Sequence, residues 1–309
     1  MAADQDFQTI LNTIEAAIRP SMGEGEVASY IPQLAEVDPH QFGMALCTVD
    51  GETYTVGQAD TPFSIQSISK AFTLTLAIRL EGEKLWRRVG KEPSGSAFNS
   101  LVQLEYESGI PRNPFINAGA LVITDVILQH LDDAKSTVLN FMRELTGDDS
   151  IEFDTQVADS EAAVGYRNVA MANFIKSFGN LNHRPHEVLD AYFHHCSMAM
   201  SCAQLSKAAL FMANRGVCPS SGDKIVSVEQ SRYLNALMLT SGTYDAAGDF
   251  AYRVGLPAKS GVGGGIMAVM PNRFAATVWC PGLDSSGNSV VGLHALQLLS
   301  QLTGWSIFG

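Results

Sequence analysis

A serine followed three residues later by a lysine stands at Ser67 and Lys70. The pair lies in Pro62-Phe63-Ser64-Ile65-Gln66-Ser67-Ile68-Ser69-Lys70-Ala71-Phe72, where a helical run begins that continues through Arg79. Residues three apart share a helix face. A hydroxyl at a helix N-terminus meets the positive end of the dipole, which favours a developing alkoxide. A lysine held beside it and withdrawn from water can lose its charge and take the proton. Such a pair could attack a carbonyl and carry the acyl group as an ester. Spacing alone does not single it out, because Ser221-Gly222-Asp223-Lys224 repeats the pattern. That copy follows Pro219 and Ser220 in a stretch of turn residues, so its Ser and Lys need not share a face.

Lys259-Ser260-Gly261 is the one K-[ST]-G in the chain, just before an apolar run over residues 265–270. An early S-x-x-K with a late K-[ST]-G is the pairing of serine β-lactamases and penicillin-binding proteins, where the second motif runs along a strand bordering the nucleophile. The small residues of Gly261-Val262-Gly263-Gly264-Gly265 would let a carbonyl approach backbone N–H groups, although they also read as a flexible turn. They fit a dinucleotide fingerprint poorly, since no helix with a following acidic residue comes next. There is no G-x-S-x-G elbow and no H-E-x-x-H. His183, His186, His194 and His195 cluster without a carboxylate or thiolate set at metal spacing, so they read as surface or core histidines.

The elements that must hold these residues follow from periodicity. Phe7, Ile10, Leu11, Ile14, Ala17 and Ile18 form an amphipathic helix ended by Pro20. Residues 43–49 and 52–57 are strand-like around Asp50-Gly51, a hairpin signal. Residues 265–270 and 274–280 repeat the style around Pro271-Asn272, and residues 290–302 turn helical through Leu293, Leu296, Leu299 and Leu302. The middle reads mainly helical, most clearly over residues 121–131, 138–145, 169–178, 187–193 and 203–213. The expected architecture is α+β: an antiparallel sheet built from both chain ends, flanked by terminal helices, with a helical domain inserted. Residues 1–60 with 244–309 would form the sheet subdomain and residues 61–243 the helical one, with the site between them.

The chain has 309 residues, 46% hydrophobic and 17% charged, which suits a buried core rather than disorder. A net charge of −12 and the lack of a basic run exclude a nucleic-acid partner. No apolar run approaches the roughly 20 residues that span a bilayer, so no membrane is expected. The start, Met1-Ala2-Ala3-Asp4-Gln5-Asp6-Phe7, shows no cationic stretch leading into an apolar one, and a cytoplasmic location is expected. Cys47, Cys196, Cys202, Cys218 and Cys280 are odd in number and scattered, and read as free buried thiols.

Taken in order, the motifs resemble a known family. They are Ser29-Tyr30-Ile31-Pro32-Gln33-Leu34-Ala35, Gln66 to Lys70, Val89-Gly90-Lys91-Glu92-Pro93-Ser94-Gly95 with Phe98-Asn99, and Asn113-Pro114-Phe115-Ile116-Asn117-Ala118-Gly119-Ala120. Ser160-Glu161 with Arg167-Asn168, Tyr192-Phe193, Gly242-Thr243-Tyr244-Asp245 and Gly255-Leu256-Pro257-Ala258-Lys259-Ser260-Gly261-Val262 follow. From about Tyr30 to Trp279 the chain resembles the bacterial-type serine-dependent glutaminases, which have a serine β-lactamase-like fold and hydrolyse L-glutamine to L-glutamate and ammonia. The resemblance implies Ser67 as nucleophile and Lys70 as its activating partner. It implies Tyr30, Gln66, Asn117, Glu161, Asn168, Tyr192, Tyr244 and Val262 as substrate-site residues, with the Val262 and Ser67 N–H groups as an oxyanion hole. Between Glu161 and Asn168 the family usually carries more charge than the Ala162-Ala163-Val164-Gly165 found here, although the spacing of seven is kept.

The residue types suit a zwitterionic substrate: a carboxylate for its ammonium, and neutral donors for its carboxylate. A γ-glutamyl ester on Ser67 would form and be hydrolysed, with Tyr244 or Tyr192 able to relay the proton to the leaving ammonia. No metal or organic cofactor is implied, and a homo-oligomer, dimer or tetramer, is. Two other readings share features. A penicillin-interacting hydrolase has both short motifs but must be exported. A non-catalytic amino-acid-binding module would not need Ser67, Lys70 and Lys259 together.

Overall fold

The computed structural model describes residues 6–95 and 100–309. Phe98 and Asn99 of the third motif lie outside the described residues.

The first helix, α1 (Phe7–Ile18), starts on Asp6, whose carboxylate accepts the Thr9 N–H. A short α2 (Pro32–Ala35) precedes strands β1 (Gly43–Thr48) and β2 (Thr53–Gly57). Asp50-Gly51 sits between the two strands, with Gly51 at φ +95°. The two-residue β3 (Phe63–Ser64) runs into a 3₁₀ turn, Gln66–Ile68, and then α3 (Ser69–Glu81). Helices α4 (Val102–Tyr106), α5 (Asn117–His130) and α6 (Ala134–Thr146) follow, then β4 (Glu152–Phe153), α7 (Thr155–Val164), α8 (Tyr166–Ser177) and α9 (Pro185–Cys196). Next come β5 (Met198–Met200), α10 (Cys202–Ala213), α11 (Val228–Ser241) and α12 (Ala247–Arg253). The chain closes with β6 (Ala258–Ser260), β7 (Gly265–Met270), β8 (Phe274–Trp279) and α13 (Val290–Thr303).

Strands from both chain ends form one antiparallel sheet in the order β2-β1-β8-β7-β6. The central strands read as unbroken apolar runs because both of their faces are buried. Met44 and Leu46 of β1, Ile266 and Ala268 of β7, and Ala276 and Val278 of β8 face the terminal helices α1 and α13. Their neighbours Ala45, Cys47, Met267, Val269 and Ala275 point the other way, onto α10 and the helical core. Alternation along each strand thus feeds two cores, making the sheet a middle layer between helices.

The sequence reading stands for this sheet and for the helices of the middle. It passed over a second, three-stranded sheet in the order β3-β5-β4. Its two short edge strands show no period in the sequence, yet this sheet anchors the chain entering Ser67. Phe63 pairs with Met200 and Ser64 with Ala199, and the Ile65 N–H then donates to the Met198 carbonyl at 3.0 Å.

Lys259 and Ser260 belong to a strand of their own, β6, ahead of β7, and pair with Met267 and Ile266. Among the described residues no helix is long and apolar enough to cross a membrane.

Candidate active site

Helix α3 is buried from Ser69 through Ile78. A helix buried all round lies inside a core and presents no solvent face. Its entry is tightly constrained. Gln66 adopts φ +50°, a left-handed conformation that non-glycine residues hold only when their surroundings fix it. The Ser69 hydroxyl donates to the Gln66 carbonyl at 2.8 Å, and the Gln66 amide donates to Ser64 Oγ at 2.9 Å. Ser67 follows in the 3₁₀ turn, and Lys70 is the second residue of the helix.

The Gly-rich segment after β6 is packed against this turn. A Cβ at Gly261 would lie 2.5 Å from the Ile65 carbonyl oxygen and 3.3 Å from the Ser67 nitrogen; one at Gly263 would lie 2.2 Å from the Ser64 carbonyl oxygen. These glycines permit close backbone approach. The Trp279 indole N–H holds the Gly263 carbonyl at 2.9 Å, and its ring stacks on Phe63 at 5.0 Å.

Lys70 is 2% exposed. Its ammonium donates to the Phe115 carbonyl at 3.2 Å and to Asn117 Oδ1 at 2.7 Å, leaving one of three donor directions. Asn113 builds this wall: its Oδ1 accepts the N–H groups of Phe115 and Ile116, and Asn117 then begins α5. Asn117 Nδ2 in turn donates to Asn168 Oδ1 at 3.0 Å. Burial lowers the Lys70 pKa to about 8, partly opposed by the nearby Cys196 and Glu161.

Glu161, on α7, is 7% exposed and accepts the Gln66 amide at 2.8 Å. Burial raises its pKa to about 7, against the pull of the Gln66 hydrogen bond and of Lys70. Gly165 separates α7 from α8; a Cβ there would press to 2.6 Å on the Glu161 carbonyl oxygen. The sharp bend lets Glu161 and Asn168, on different helices, face the same space.

That space is a cleft of about 430 Å³ lined by Tyr30, Gln66, Ser67, Asn117, Glu161, Asn168, Tyr192 and Val262. Tyr30, 57% exposed, stands at the mouth. Lys70 and Tyr244 lie buried behind. Tyr244 adopts φ +56°; its hydroxyl lies near Ser67 and donates to the Ser260 carbonyl at 3.4 Å. Burial raises its pKa to about 12, opposed first by the Ser67 hydrogen bond. Tyr192 presents its ring to the Lys70 ammonium, 5.8 Å from the centroid, and its side chain lies near Cys196.

All ten residues singled out from the sequence therefore gather around one cleft. Several neighbours were missed. The Phe115 carbonyl serves through its backbone, which no residue type betrays. Ile31, Val164, Gly165, Tyr166 and Arg167 also line the cleft. Cys196 lies beside Lys70 and Glu161, and burial raises its thiol pKa to about 12. Lys259 is fully buried, donating to the Gly242 and Ser260 carbonyls at 2.9 and 2.7 Å, with its ammonium 4.7 Å from the Tyr244 ring centroid. Burial, and then Lys70, pushes its pKa well down.

The other sequence candidates fall elsewhere. Ser221 and Lys224 are exposed. His183 meets Asp125, and the buried His195 meets the Ala134 carbonyl.

A buried hydroxyl, a lysine of depressed pKa and a carboxylate beside an open cleft are the groups of a hydrolase-type centre. The family model for glutaminase matches residues 25–308. A glutaminase of Agrobacterium fabrum (strain C58) is 59% identical over 307 residues, covering 99% of each chain. The solved structure of a probable glutaminase of Bacillus subtilis superposes with a TM-score of 0.90 at 30% identity, covering 98% of both chains. That of Mglu in its glutamate form gives 0.92 at 34% identity, covering 99% of this chain and 71% of the other. The chain belongs to the glutaminase family, amidohydrolases that convert L-glutamine to L-glutamate and ammonia.

Proposed function

We propose that this glutaminase works through a γ-glutamyl ester on Ser67. The observation that carries the reading is the setting of one buried hydroxyl: Ser67 lies in the turn that enters α3, with buried Lys70 three residues on and the buried Tyr244 near it. Neutral Lys70 takes the Ser67 proton as Oγ attacks the side-chain carbonyl. The Ser67 and Val262 N–H groups receive the oxyanion; the approach of Gly261 to the Ser67 nitrogen supports that pairing. Collapse breaks the C–N bond, and the proton returns to the departing ammonia. Water then attacks the ester, giving its proton to Lys70, and glutamate leaves with Ser67 restored. Of the two tyrosines, Tyr244 suits the relay, because its side chain lies near Ser67 whereas that of Tyr192 lies near Cys196.

Recognition follows from the cleft's charges. Glu161, held by Gln66, faces the substrate's α-ammonium, which favours its ionised form once bound. Asn117, Asn168 and Tyr30 face the α-carboxylate. The glutamate form of Mglu, a protein with this fold, is in keeping with such a pocket. Glutamine is the substrate. The late Lys-Ser-Gly strand beside the turn that carries Ser67 supports a serine β-lactamase-like fold. The site lies between a sheet subdomain, residues 1–60 with 244–309, and a helical one, residues 61–243. A cytoplasmic homo-oligomer, dimer or tetramer, completes the reading.

The test is Ser67→Ala, which should cut ammonia release from glutamine by at least about 10³-fold while calorimetry still detects glutamine binding. A variant that keeps turning over glutamine would refute the ester.

A further inference from the structure

Tyr244 holds its hydroxyl near Ser67, donating to the Ser260 carbonyl at 3.4 Å, from a left-handed backbone, φ +56°. A non-glycine residue stays in that region only when its neighbours over-determine it. The two carbonyls immediately before it are both tied. That of Gly242 accepts Lys259 Nζ at 2.9 Å and the Ser260 N–H at 3.1 Å. That of Thr243 accepts Asn288 Nδ2 at 3.1 Å.

Asn288 is wholly buried and comes from the far end of the chain, in the turn that leads into α13. The turn is itself rigid. The Asn288 N–H donates to Asp284 Oδ1 at 3.0 Å, its carbonyl accepts the Asp284 N–H at 2.8 Å, and Ser286 N–H also donates to Asp284 Oδ1. Gly287, at φ +89°, brings the turn under the tyrosine: a Cβ there would lie 3.6 Å from Tyr244 Cε2 and 3.7 Å from Val262 Cγ1. Leu283, from the same turn, packs with Tyr244 and Val262. Asn288 is not among the residues lining the cleft. Its Oδ1 makes no hydrogen bond among the described residues. A buried amide satisfied on one side is a poor stabilising device, so its value lies in the bond that it does make.

We infer that Asn288 is a positioning residue for glutamine hydrolysis: its clamp on the Thr243 carbonyl fixes the backbone of Tyr244 and so places the tyrosine hydroxyl beside Ser67. The inference rests on Tyr244 as proton relay. Loss of the clamp frees the turn, the hydroxyl drifts, and proton transfer slows, while the groups that bind glutamine stay in place.

The experiment is a double-mutant cycle between Asn288 and Tyr244, read as ammonia release with rates normalised to the fraction that binds glutamine by calorimetry. Asn288→Asp keeps the size but donates to Thr243 only when protonated; Asn288→Ser keeps a smaller donor in case the first variant folds poorly. Either should lower kcat by roughly 10- to 100-fold, the scale of an ångström's misplacement. KM should stay within about threefold, because binding groups are untouched. The Asn288→Asp loss should deepen as pH rises and its donor ionises. In a Tyr244→Phe background the further loss should be under about threefold, since coupled residues do not add. A normal kcat for Tyr244→Phe alone would overturn the relay, and the inference with it. An impaired Tyr244→Phe beside normal Asn288 variants, or losses that multiply, would overturn the positioning role alone.

Discussion

The chain writes Ser-x-x-Lys twice, and the two copies differ in everything except spelling. Ser67 and Lys70 lie at the entry of a helix buried on all sides, under a glycine strap from β6 and between the helices that carry Asn117 and Glu161. Ser221 and Lys224 lie exposed in a turn closed by an isolated bridge between Val217 and Lys224. There the Ser221 hydroxyl is occupied with its own turn, accepting the Asp223 N–H at 3.2 Å. Burial makes the difference in chemistry. It brings the Lys70 ammonium to a pKa of about 8, within reach of a neutral base near physiological pH. The proposed chemistry needs the copy from which the fold withholds water.

The sharpest way to break this comparison is to remove the amine from the buried copy. Lys70→Ala should slow ammonia release by at least about 10²-fold, the low end of general acid–base contributions. A near-normal kcat would reduce Lys70 to a helix residue like any other.

A smaller effect is expected at Glu161. The carboxylate must be ionised to meet an ammonium, which its raised pKa of about 7 allows only above that pH; Lys70 must be neutral, which its pKa of about 8 allows only above that pH. Both requirements have the same sign, so kcat/KM for the wild type should climb as pH rises through 7 and 8. Glu161→Gln should raise KM for glutamine about 10-fold or more, the scale of a charged hydrogen bond, and remove the lower of the two steps. It should also narrow the gap between glutamine and an analogue without the α-amine. A gap left unchanged would assign the ammonium to another group.

No effect is expected from the exposed copy. Ser221→Ala and Lys224→Ala should each leave kcat and KM within about twofold of the wild type, as surface substitutions do. A large loss in either would mean that the turn, and not the helix, carries the reaction.

Much of this was legible in the sequence. The sheet was readable because its central strands are buried on both faces and so appear as continuous apolar runs broken by Asp50-Gly51 and Pro271-Asn272. The small sheet was not, since β3 and β4 are two residues long and their register is set by β5, far away in the chain. Individual site residues carried their chemistry in their type, and the ordered motifs gathered them. Spacing could not say that Glu161 and Asn168 sit on two helices joined at Gly165, nor that the Phe115 carbonyl holds Lys70. Asn288 was silent for another reason: Gly287-Asn288-Ser289 reads as an ordinary turn before a helix, and its partner, a backbone carbonyl, is 45 residues away.

The central claim is that Ser67 forms the covalent bond. An electrophilic γ-diazoketone analogue of glutamine, incubated with the full chain, should add one equivalent by intact mass, and peptide mapping should place it on Ser67. Excess glutamine should protect against it, and Lys70→Ala should slow it. A label on Ser221, or on Cys196 or any other cysteine, with Ser67 unmodified would contradict the account.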